Sequence, residues 1–431
     1  MTRTITVNHL ARVEGHGGIK VVLDGDQVTT VDFDVFEGIR LLEGLVRGRS
    51  AEDVTGIVSR ICAICSHGHS ITSLLALETA LEVQVTPQTR KLRDLAYQGA
   101  NIESHALHVF ALALPDLVGH PSVISLAAVN PEAVALALRL KKLGNSIQEV
   151  MGGRAVHPVN YVIGGFGKVP SVEELLGLKK QIAAGLEDCG RALEILKSIQ
   201  IPEFVNEPIK CAALVPEDEA FFFGKTVQVC DAEKTIDLSV SAYRALTNEY
   251  CVPHSHAKRS THEGRSYMVG ALPRLTINGG RIGGMARKAW EEIRLSLPST
   301  NIVMNNMAQA VEMIFSVERA MALVDELLAA GLAVEAPAPY KIRAGRGAAA
   351  TEVPRGILFY EYELDGEGRI AAADVITPTA QNLDHAEDQM RAAVQQGARA
   401  GASEDVLRHR LEIVARAYDP CISCSVHVIR R

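Results

Sequence analysis

The sequence lacks the features of an exported or membrane-embedded protein. Its first nine residues have neither the charged and apolar regions of a signal peptide nor the amphipathic pattern of a transit peptide. The apolar stretches at 107–114 and 123–129 are too short for a bilayer, which requires about 20 apolar residues. We therefore expect a cytoplasmic protein with no direct membrane span.

The chain also lacks the excess of basic residues on which binding to a nucleic-acid backbone depends. Its 44 lysines and arginines are outnumbered by 51 aspartates and glutamates, which gives a net charge of −7. We expect no nucleic-acid partner. Tryptophan occurs once, but 47% of the 431 residues are hydrophobic, so a large core can form without a disulfide framework.

The spacing of the hydrophobic residues predicts a mainly helical α+β protein, in which long helices form a bundle and the β-sheets are small and peripheral. We interpret residues 1–431 as a single domain. Its expected parts are an N-terminal β region at about 1–37, a helical core at about 38–200 and 282–335, an irregular lobe at about 200–281, and a hairpin with helices at about 350–427.

Several elements are predicted with definite bounds. Ser171 and Glu174 form a capping box, which predicts that a helix begins there, and Gly331 is expected to end another helix. Residues 336–350 contain two prolines and two of the glycines that are typical of a loop. The expected helices are 88–114, 131–151, 171–199, 301–330, about 380–396 and about 403–417, and the expected hairpin strands are 356–364 and 369–376.

Eight cysteines are present, and four of them form two CxxC pairs at opposite ends of the chain. Each pair can direct two sulfurs to one ion, so two pairs can supply four thiolates to zinc, an iron–sulfur centre or nickel. A structural zinc ribbon usually joins its pairs within about 20 residues. Because more than 350 residues separate Cys65 from Cys421, the spacing favours another metal, although zinc stays an alternative.

The residues around these pairs resemble a known family. Arg60-Ile61-Cys62-Ala63-Ile64-Cys65 with His69, and Asp419-Pro420-Cys421 with Cys424 and His427, are similar to the two nickel-binding motifs of the large subunit of nickel–iron hydrogenases. Further segments resemble other motifs of the family in the same order along the chain, namely 11–17, 36–38, 103–108, 352–356 and 377–379.

The resemblance implies an oxidoreductase that reversibly cleaves H2 into protons and electrons. It implies that four cysteines hold nickel, and that two of them also bridge to an iron with carbonyl and cyanide ligands. The nickel ligands are expected to be Cys62, Cys65, Cys421 and Cys424, and the bridging pair Cys65 and Cys424. Thiolates suit a soft, redox-active metal.

The resemblance also assigns catalytic roles to side chains near the metals. Cys421 is expected to accept a proton and Glu14 to carry it toward the surface, a task that suits a carboxylate. Arg355 is expected to extend its guanidinium over the open metal site, with Asp419 and Asp116 as charged partners. Either aspartate could instead be a cap or turn residue.

Other matched residues are expected to support the cofactor. Thr377, Pro378 and Thr379 match the segment that holds cyanide, and His69 is expected to hydrogen-bond a sulfur. Glu37 and His427 resemble ligands of a separate magnesium or iron ion near the C-terminus. Family precursors are cut after this histidine, so we expect a maturation endopeptidase to remove residues 428–431.

The four remaining cysteines are widely spaced and cannot easily form an electron-transfer chain. The resemblance therefore implies an iron–sulfur small subunit. The overall likeness to the alpha subunits of cytoplasmic NADP- or NAD-linked hydrogenases, the sulfhydrogenases, implies flavin and ferredoxin-like iron–sulfur subunits as well. Alternatives are coupling to a heterodisulfide reductase or a deazaflavin, and, more distantly, a scaffold subunit like that of respiratory complex I, which generally lacks the four cysteines.

Overall fold

A computed structural model describes residues 2–39, 41–203 and 207–426. The strands are β1 (Thr2–Val7), β2 (Gly17–Asp24), β3 (Gln27–Val35), β4 (Tyr161–Val162), β5 (Gly165–Phe166), β6 (Cys211–Pro216), β7 (Gly224–Cys230), β8 (Thr235–Ser239), β9 (Tyr250–Cys251), β10 (Lys258–Arg259), β11 (Gly345–Val353), β12 (Gly356–Leu364) and β13 (Ile370–Ile376).

The α-helices are α1 (Leu42–Val46), α2 (Ala51–Val58), α3 (Ser66–Leu81), α4 (Pro87–Leu107), α5 (Leu114–Leu117), α6 (Val123–Val129), α7 (Pro131–Gly152), α8 (Val172–Lys197), α9 (Ala271–Asn278), α10 (Gly284–Glu292), α11 (Asn305–Ala330), α12 (Pro378–Arg399), α13 (Glu404–Ala417) and α14 (Ile422–Ser425). Short 3-10 turns and one π-helical segment connect some of them, at Ser59–Ile61, Val240–Ala245, Gly279–Arg281, Ile302–Met304 and, for the π segment, His108–Ala113.

Four long helices, α4, α7, α8 and α11, pack against one another as the core bundle. Together with the small sheets they confirm the predicted α+β class. The capping box of Ser171 and Glu174 is present at the start of α8, and Gly331 follows α11 with a φ of 78°. The predicted helix 88–114 is α-helical as far as Leu107 and continues as the π-helical segment His108–Ala113 into α5. Among the described residues no helix is long and apolar enough to cross a membrane.

In the described part of the chain, three antiparallel sheets have three strands each, with the orders β1–β2–β3, β6–β7–β8 and β11–β12–β13. The central strand of the last sheet, β12, is buried on both faces along nearly all of its length. Alternate residues of β12 serve two different cores, because Leu358, Tyr360 and Tyr362 join the core that contains α3, whereas Ile357 and Phe359 join a smaller core with β6 and β7. This sheet therefore carries its β11–β12 turn deep into the protein.

The predicted loop at 336–350 is wrong over residues 345–350, which belong to β11. The physical reason is the close packing of this strand against α3. A Cβ atom on Gly345 or Gly347 would lie 2.2 Å from the backbone oxygen of Ala80 or Ala76, respectively. These glycines permit a close approach of strand and helix, whereas the sequence pattern suggested that they serve a loop.

Candidate metal centre

The first cysteine pair lies at the beginning of a buried helix. The 3-10 turn Ser59–Ile61 ends at Cys62, whose backbone is extended, and Cys65 directly precedes α3. The amide of Cys65 donates to Cys62 Sγ at 3.4 Å. Because unpaired amide groups and the helix dipole make a helix N-terminus electropositive, this position favours thiolates.

The second pair follows a sharp turn near the end of the described chain. Helix α13 ends at Ala417, and Asp419 has a φ of 50°, a left-handed conformation that aspartate tolerates better than most residues. Pro420 then prevents helix continuation, and Cys421 precedes the four-residue helix α14, which contains Cys424. The turn directs both side chains back into the protein, where they are buried.

Together the two pairs form a buried box of four sulfurs, which we call the four-thiol box. All four sulfurs lie within 4.8 Å of one another. Metal–thiolate bonds of about 2.3 Å place two sulfurs on one ion up to about 4.6 Å apart, a separation comparable with the span of the box. The sulfur of Cys421 lies 2.8 Å from that of Cys424, 3.2 Å from that of Cys62 and 3.9 Å from that of Cys65.

Cys65 and Cys421 differ in the direction in which the site shifts their pKa values. Hydrogen bonds with Cys421, Cys424 and Cys62 hold the pKa of Cys65 well below its usual range, and the charge of Arg355 lowers it further. Burial, together with the neighbouring sulfurs, raises the pKa of Cys421 well above its usual range. An ionised sulfur is therefore favoured at Cys65, which faces the Arg355 guanidinium, over Cys421.

The structure places the guanidinium of Arg355 against the four-thiol box. Its Nη1 lies 3.3 Å from Cys65 Sγ, its Nη2 donates to Asp419 Oδ1 at 2.8 Å, and its Nε donates to the Asp419 carbonyl at 2.6 Å. Burial opposes the charged guanidinium, but Asp419 and the cysteine sulfurs raise the pKa of Arg355 well above its ordinary value. The side chain is therefore a fixed cation.

The structure corrects the expected contact between Asp116 and Arg355. Asp116 Oδ2 accepts from Arg416 Nε at 2.5 Å, and its other oxygen pairs with Arg416 and Arg12. The segment 103–108 instead places Ser104 near Arg355, with 3.5 Å between the hydroxyl oxygen and Nη1. Asp116 follows the π-helical segment, so its position along the sequence did not show which guanidinium it would meet.

Glu14 lies beside the box, as predicted. Its Oε2 is 3.2 Å from Cys421 Sγ, and it accepts a hydrogen bond from the amide of Ser423 at 3.0 Å. The hydroxyl of Ser423 donates to the other carboxylate oxygen. Glu14 is half-buried, so its carboxylate links a buried sulfur with the region nearer the surface. Ser423 occupies a variable position of the CxxC motif and was not predicted.

Two of the predicted supporting residues, Thr379 and His69, contact cysteines of the box. Thr379 Oγ1 accepts from the amide of Cys421 at 3.0 Å, while Thr377 and Pro378 are buried at the start of α12. His69 Nε2 lies 3.5 Å from Cys424 Sγ, and its Nδ1 lies 2.7 Å from the hydroxyl of Tyr360. The Tyr360 contact fixes the ring that faces the sulfur.

Of the two residues predicted to hold a second ion, the structure describes Glu37. Glu37 Oε2 lies 2.6 Å from His16 Nδ1 and accepts from the His16 amide at 3.0 Å. His427 and residues 428–431 lie outside the described residues. A magnesium or iron site at Glu37 and His427 therefore stays a prediction, as does the removal of residues 428–431.

The sequence matches the family described as nickel-dependent hydrogenase over residues 40–138 and 230–427, and the family described as HoxL-like over residues 4–37. It is 37% identical to sulfhydrogenase 1 subunit alpha of Pyrococcus furiosus, covering 99% of this chain and 98% of that protein. It is 25% identical to the beta subunit of the NAD-reducing hydrogenase HoxS of Cupriavidus necator, covering 100% and 96%.

The fold is similar to a crystal structure of an NAD+-reducing NiFe hydrogenase in the H2-reduced state. The TM-score is 0.88 at 26% sequence identity, and the match covers 99% of each chain. The family matches, the extended similarity and the four-thiol box agree. The chain therefore belongs to the nickel-dependent hydrogenases, as their large, catalytic subunit.

Proposed function

We propose that this chain cleaves H2 heterolytically and reversibly at a nickel–iron centre. All four cysteines of the four-thiol box would hold the nickel, and Cys65 and Cys424 would also hold an iron with carbonyl and cyanide ligands. The observation that carries the proposal is the carboxylate of Glu14 at 3.2 Å from Cys421 Sγ. When bound, the two metals supply H2 binding and accept its electrons. The protein's own residues then accept the proton and transfer it toward the surface.

The proton pathway begins at the sulfur of Cys421. This sulfur accepts a proton, and Glu14 Oε2 takes it across a distance of 3.2 Å. Ser423 holds the carboxylate through its amide and its hydroxyl, so Glu14 remains oriented toward the sulfur. Because Glu14 is half-buried, it can pass the proton outward, which is the task of a positioned general acid–base group.

Arg355 acts in this proposal as a fixed positive charge. Its raised pKa excludes it as a base at neutral pH, since an arginine is effectively always protonated. Its bonds to Asp419 keep the guanidinium beside the box, where a preorganised cation stabilises developing negative charge. The segment Thr377, Pro378 and Thr379 holds cyanide nitrogen, and His69 tunes Cys424.

Electrons must leave this chain through a partner. Among the described residues the four-thiol box is the only group of three or more cysteine, histidine or acidic side chains arranged for a metal. Two relatives are named as subunits of multi-subunit hydrogenases, which supports a small-subunit partner. We propose that this partner carries iron–sulfur clusters, and that flavin and ferredoxin-like subunits pass the electrons to NADP or NAD in the cytoplasm.

Two further parts of the proposal concern the C-terminus. Glu37 and His427 hold magnesium or iron, and an endopeptidase removes residues 428–431 after His427. The half-exposed carboxylate of Glu37, already in contact with His16, supports the first part because carboxylate oxygen is a preferred ligand of magnesium.

The test of the proton pathway is Glu14→Gln in the purified complex. The amide keeps the size of the side chain but cannot carry the proton, so H2 oxidation with an artificial electron acceptor should fall by about 10²- to 10⁴-fold. Nickel and iron contents should stay at the level of the unaltered complex. The matched control is Glu363→Gln, which removes a carboxylate from an exposed position of β12.

A full rate in Glu14→Gln with both metals present contradicts the proposed pathway. Equal losses in Glu14→Gln and Glu363→Gln also contradict it, because the effect would then follow from removing any carboxylate.

A further inference from the structure

A buried ionic network contacts the backbone of the turn that carries Arg355. Arg274 in α9, Glu312 in α11 and Glu352 in β11 each have 0% of their surface exposed. Arg274 Nε and Nη2 donate to the two carboxylate oxygens of Glu312 at 2.7 and 2.6 Å, and its Nη1 donates to Glu352 Oε2 at 2.9 Å. None of the three contacts a cysteine of the box through these bonds.

The remaining two N–H groups of Arg274 bind backbone. Nη1 donates to the carbonyl of Val353 and Nη2 to the carbonyl of Pro354, each at 2.9 Å. An arginine has five N–H donors, so every donor of Arg274 is used. The two carbonyls belong to the two residues that directly precede Arg355.

The position of this backbone sets the point from which the Arg355 side chain extends. Val353 at the end of β11 pairs with Gly356 at the start of β12, so Pro354 and Arg355 form a tight two-residue turn. Gly356 has a φ of 131°, a conformation available to glycine but strained for other residues. From this turn the guanidinium of Arg355 reaches Cys65 Sγ at 3.3 Å. Arg274 therefore contacts the backbone that directly precedes Arg355, whereas the Arg355 guanidinium contacts the four-thiol box.

The two carboxylates are themselves fixed from other elements. Glu312 Oε2 lies 3.1 Å from His105 Nε2 in α4, and Glu352 Oε1 accepts from the amide of Leu214 in β6 at 2.8 Å. Burying such charges carries a large desolvation penalty, and apolar residues often replace a buried ion network with no loss of stability. Stability alone is therefore a poor explanation for this network. Placement of the turn explains it better, because three of the five bonds of Arg274 fix its guanidinium and the other two hold the turn.

We propose that Arg274 is a positioning residue for the hydrogenase reaction, which holds the Val353 and Pro354 carbonyls and thereby places the guanidinium of Arg355 against Cys65. The inference rests on the proposed function of Arg355 as the fixed cation of the site. It predicts that Arg274 affects catalysis only through Arg355.

The first test compares Arg274→Gln with Arg93→Gln in the purified complex. Arg93 is a matched control because it is also buried, donates twice to one carboxylate, Glu78, at 2.7 Å, and contacts a backbone carbonyl, that of Val162. Amide hydrogen exchange over residues 353–358 should become faster in Arg274→Gln and remain unchanged in Arg93→Gln. Unchanged exchange in Arg274→Gln, or an equal increase in both variants, overturns the proposal.

The second test is a double-mutant cycle with Arg274→Lys and Arg355→Lys. Lysine keeps the buried charge, which favours folding, but has three donors instead of five. Arg274→Lys alone should lower H2 oxidation by about 100-fold, the effect of a small misplacement in an active site. In the Arg355→Lys background the same change should cost less than about threefold.

The outcomes separate the two claims. A full additional loss in the Arg355→Lys background overturns the role of Arg274, because its effect would not pass through Arg355. A full rate in Arg355→Lys alone overturns the proposed function of Arg355. In that case the hydrogen-exchange comparison still decides whether Arg274 fixes the turn.

Discussion

The two halves of the four-thiol box are built in different ways. Cys62 and Cys65 introduce α3, a helix of 16 residues whose side chains are nearly all buried. Cys421 directly precedes a helix of four residues that contains Cys424, and this short segment follows a left-handed aspartate. The first half is therefore supported by regular structure, whereas the second half is too short to hold its own geometry.

Contacts from distant parts of the chain hold the second half in place. The amide of Ile422 donates to the Glu14 carbonyl at 2.9 Å, and the amide of Cys421 donates to Thr379 Oγ1 at 3.0 Å. Arg355 binds both the carbonyl and the carboxylate of Asp419. The comparison indicates that the C-terminal pair depends on contacts with distant parts of the chain, whereas the N-terminal pair is placed by the helix that follows it.

The largest expected effect comes from removing one sulfur of the box. Cys65→Ser and Cys424→Ser should both lose nickel and activity almost completely, since each half supplies thiolates that a hydroxyl cannot replace. The control is Cys189→Ser, a buried cysteine of α8 outside the box. Elemental analysis of the purified complexes measures the result. Full nickel in Cys424→Ser, or equal loss in Cys189→Ser, would contradict a site shared by both halves.

A smaller effect should distinguish the two halves. Thr379→Val removes the acceptor of the Cys421 amide, and leaving a buried N–H unpaired costs about 1–3 kcal/mol. Hydrogen exchange over residues 418–426 should therefore become faster. Tyr360→Phe removes one hydrogen bond from the first half, at His69, and exchange within α3 should change little. An equal increase of hydrogen exchange in residues 418–426 of Thr379→Val and in α3 of Tyr360→Phe would contradict this difference, because both halves would then depend equally on single contacts.

The last effect concerns pH. His385 in α12 contacts the hydroxyl of Tyr418 at 2.5 Å, just before the second cysteine pair. Burial lowers the pKa of His385 from 6.5 to about 4. The unfolded chain therefore binds a proton below pH 6.5 that the folded chain does not bind until about pH 4, so stability falls as pH decreases through this range, by about 3 kcal/mol.

His385→Gln removes this titration, so the thermal midpoint of the variant should fall less than that of the unaltered protein between pH 6.5 and 4.5. His409→Gln, at an exposed position of α13, is the control and should keep the original pH dependence. If His385→Gln shows the same loss on acidification as the control, the assignment of this acid sensitivity to His385 is wrong.

The sequence predicted those parts of the protein that depend on local pattern. The cap at Ser171 and the two CxxC pairs required only spacing and residue type, and the motif resemblance placed Glu14 and Arg355 near the pairs. The prediction failed where tertiary packing decides. Gly345 serves close packing against α3, and Asp116 meets Arg416 across the fold.

Residues of the buried network were also beyond prediction from spacing. Arg274 is separated from Glu352 by 78 positions, and nothing in its local sequence shows that its guanidinium reaches the turn before Arg355. Only the folded arrangement shows this.

The central claim is that two differently built halves hold one nickel–iron centre, and it is tested most directly by metal analysis together with infrared spectroscopy of the purified, active complex. We predict about one nickel ion for each copy of this subunit, together with absorption bands of iron-bound carbonyl and cyanide. Zinc in place of nickel, or an active complex without these bands, would contradict the account.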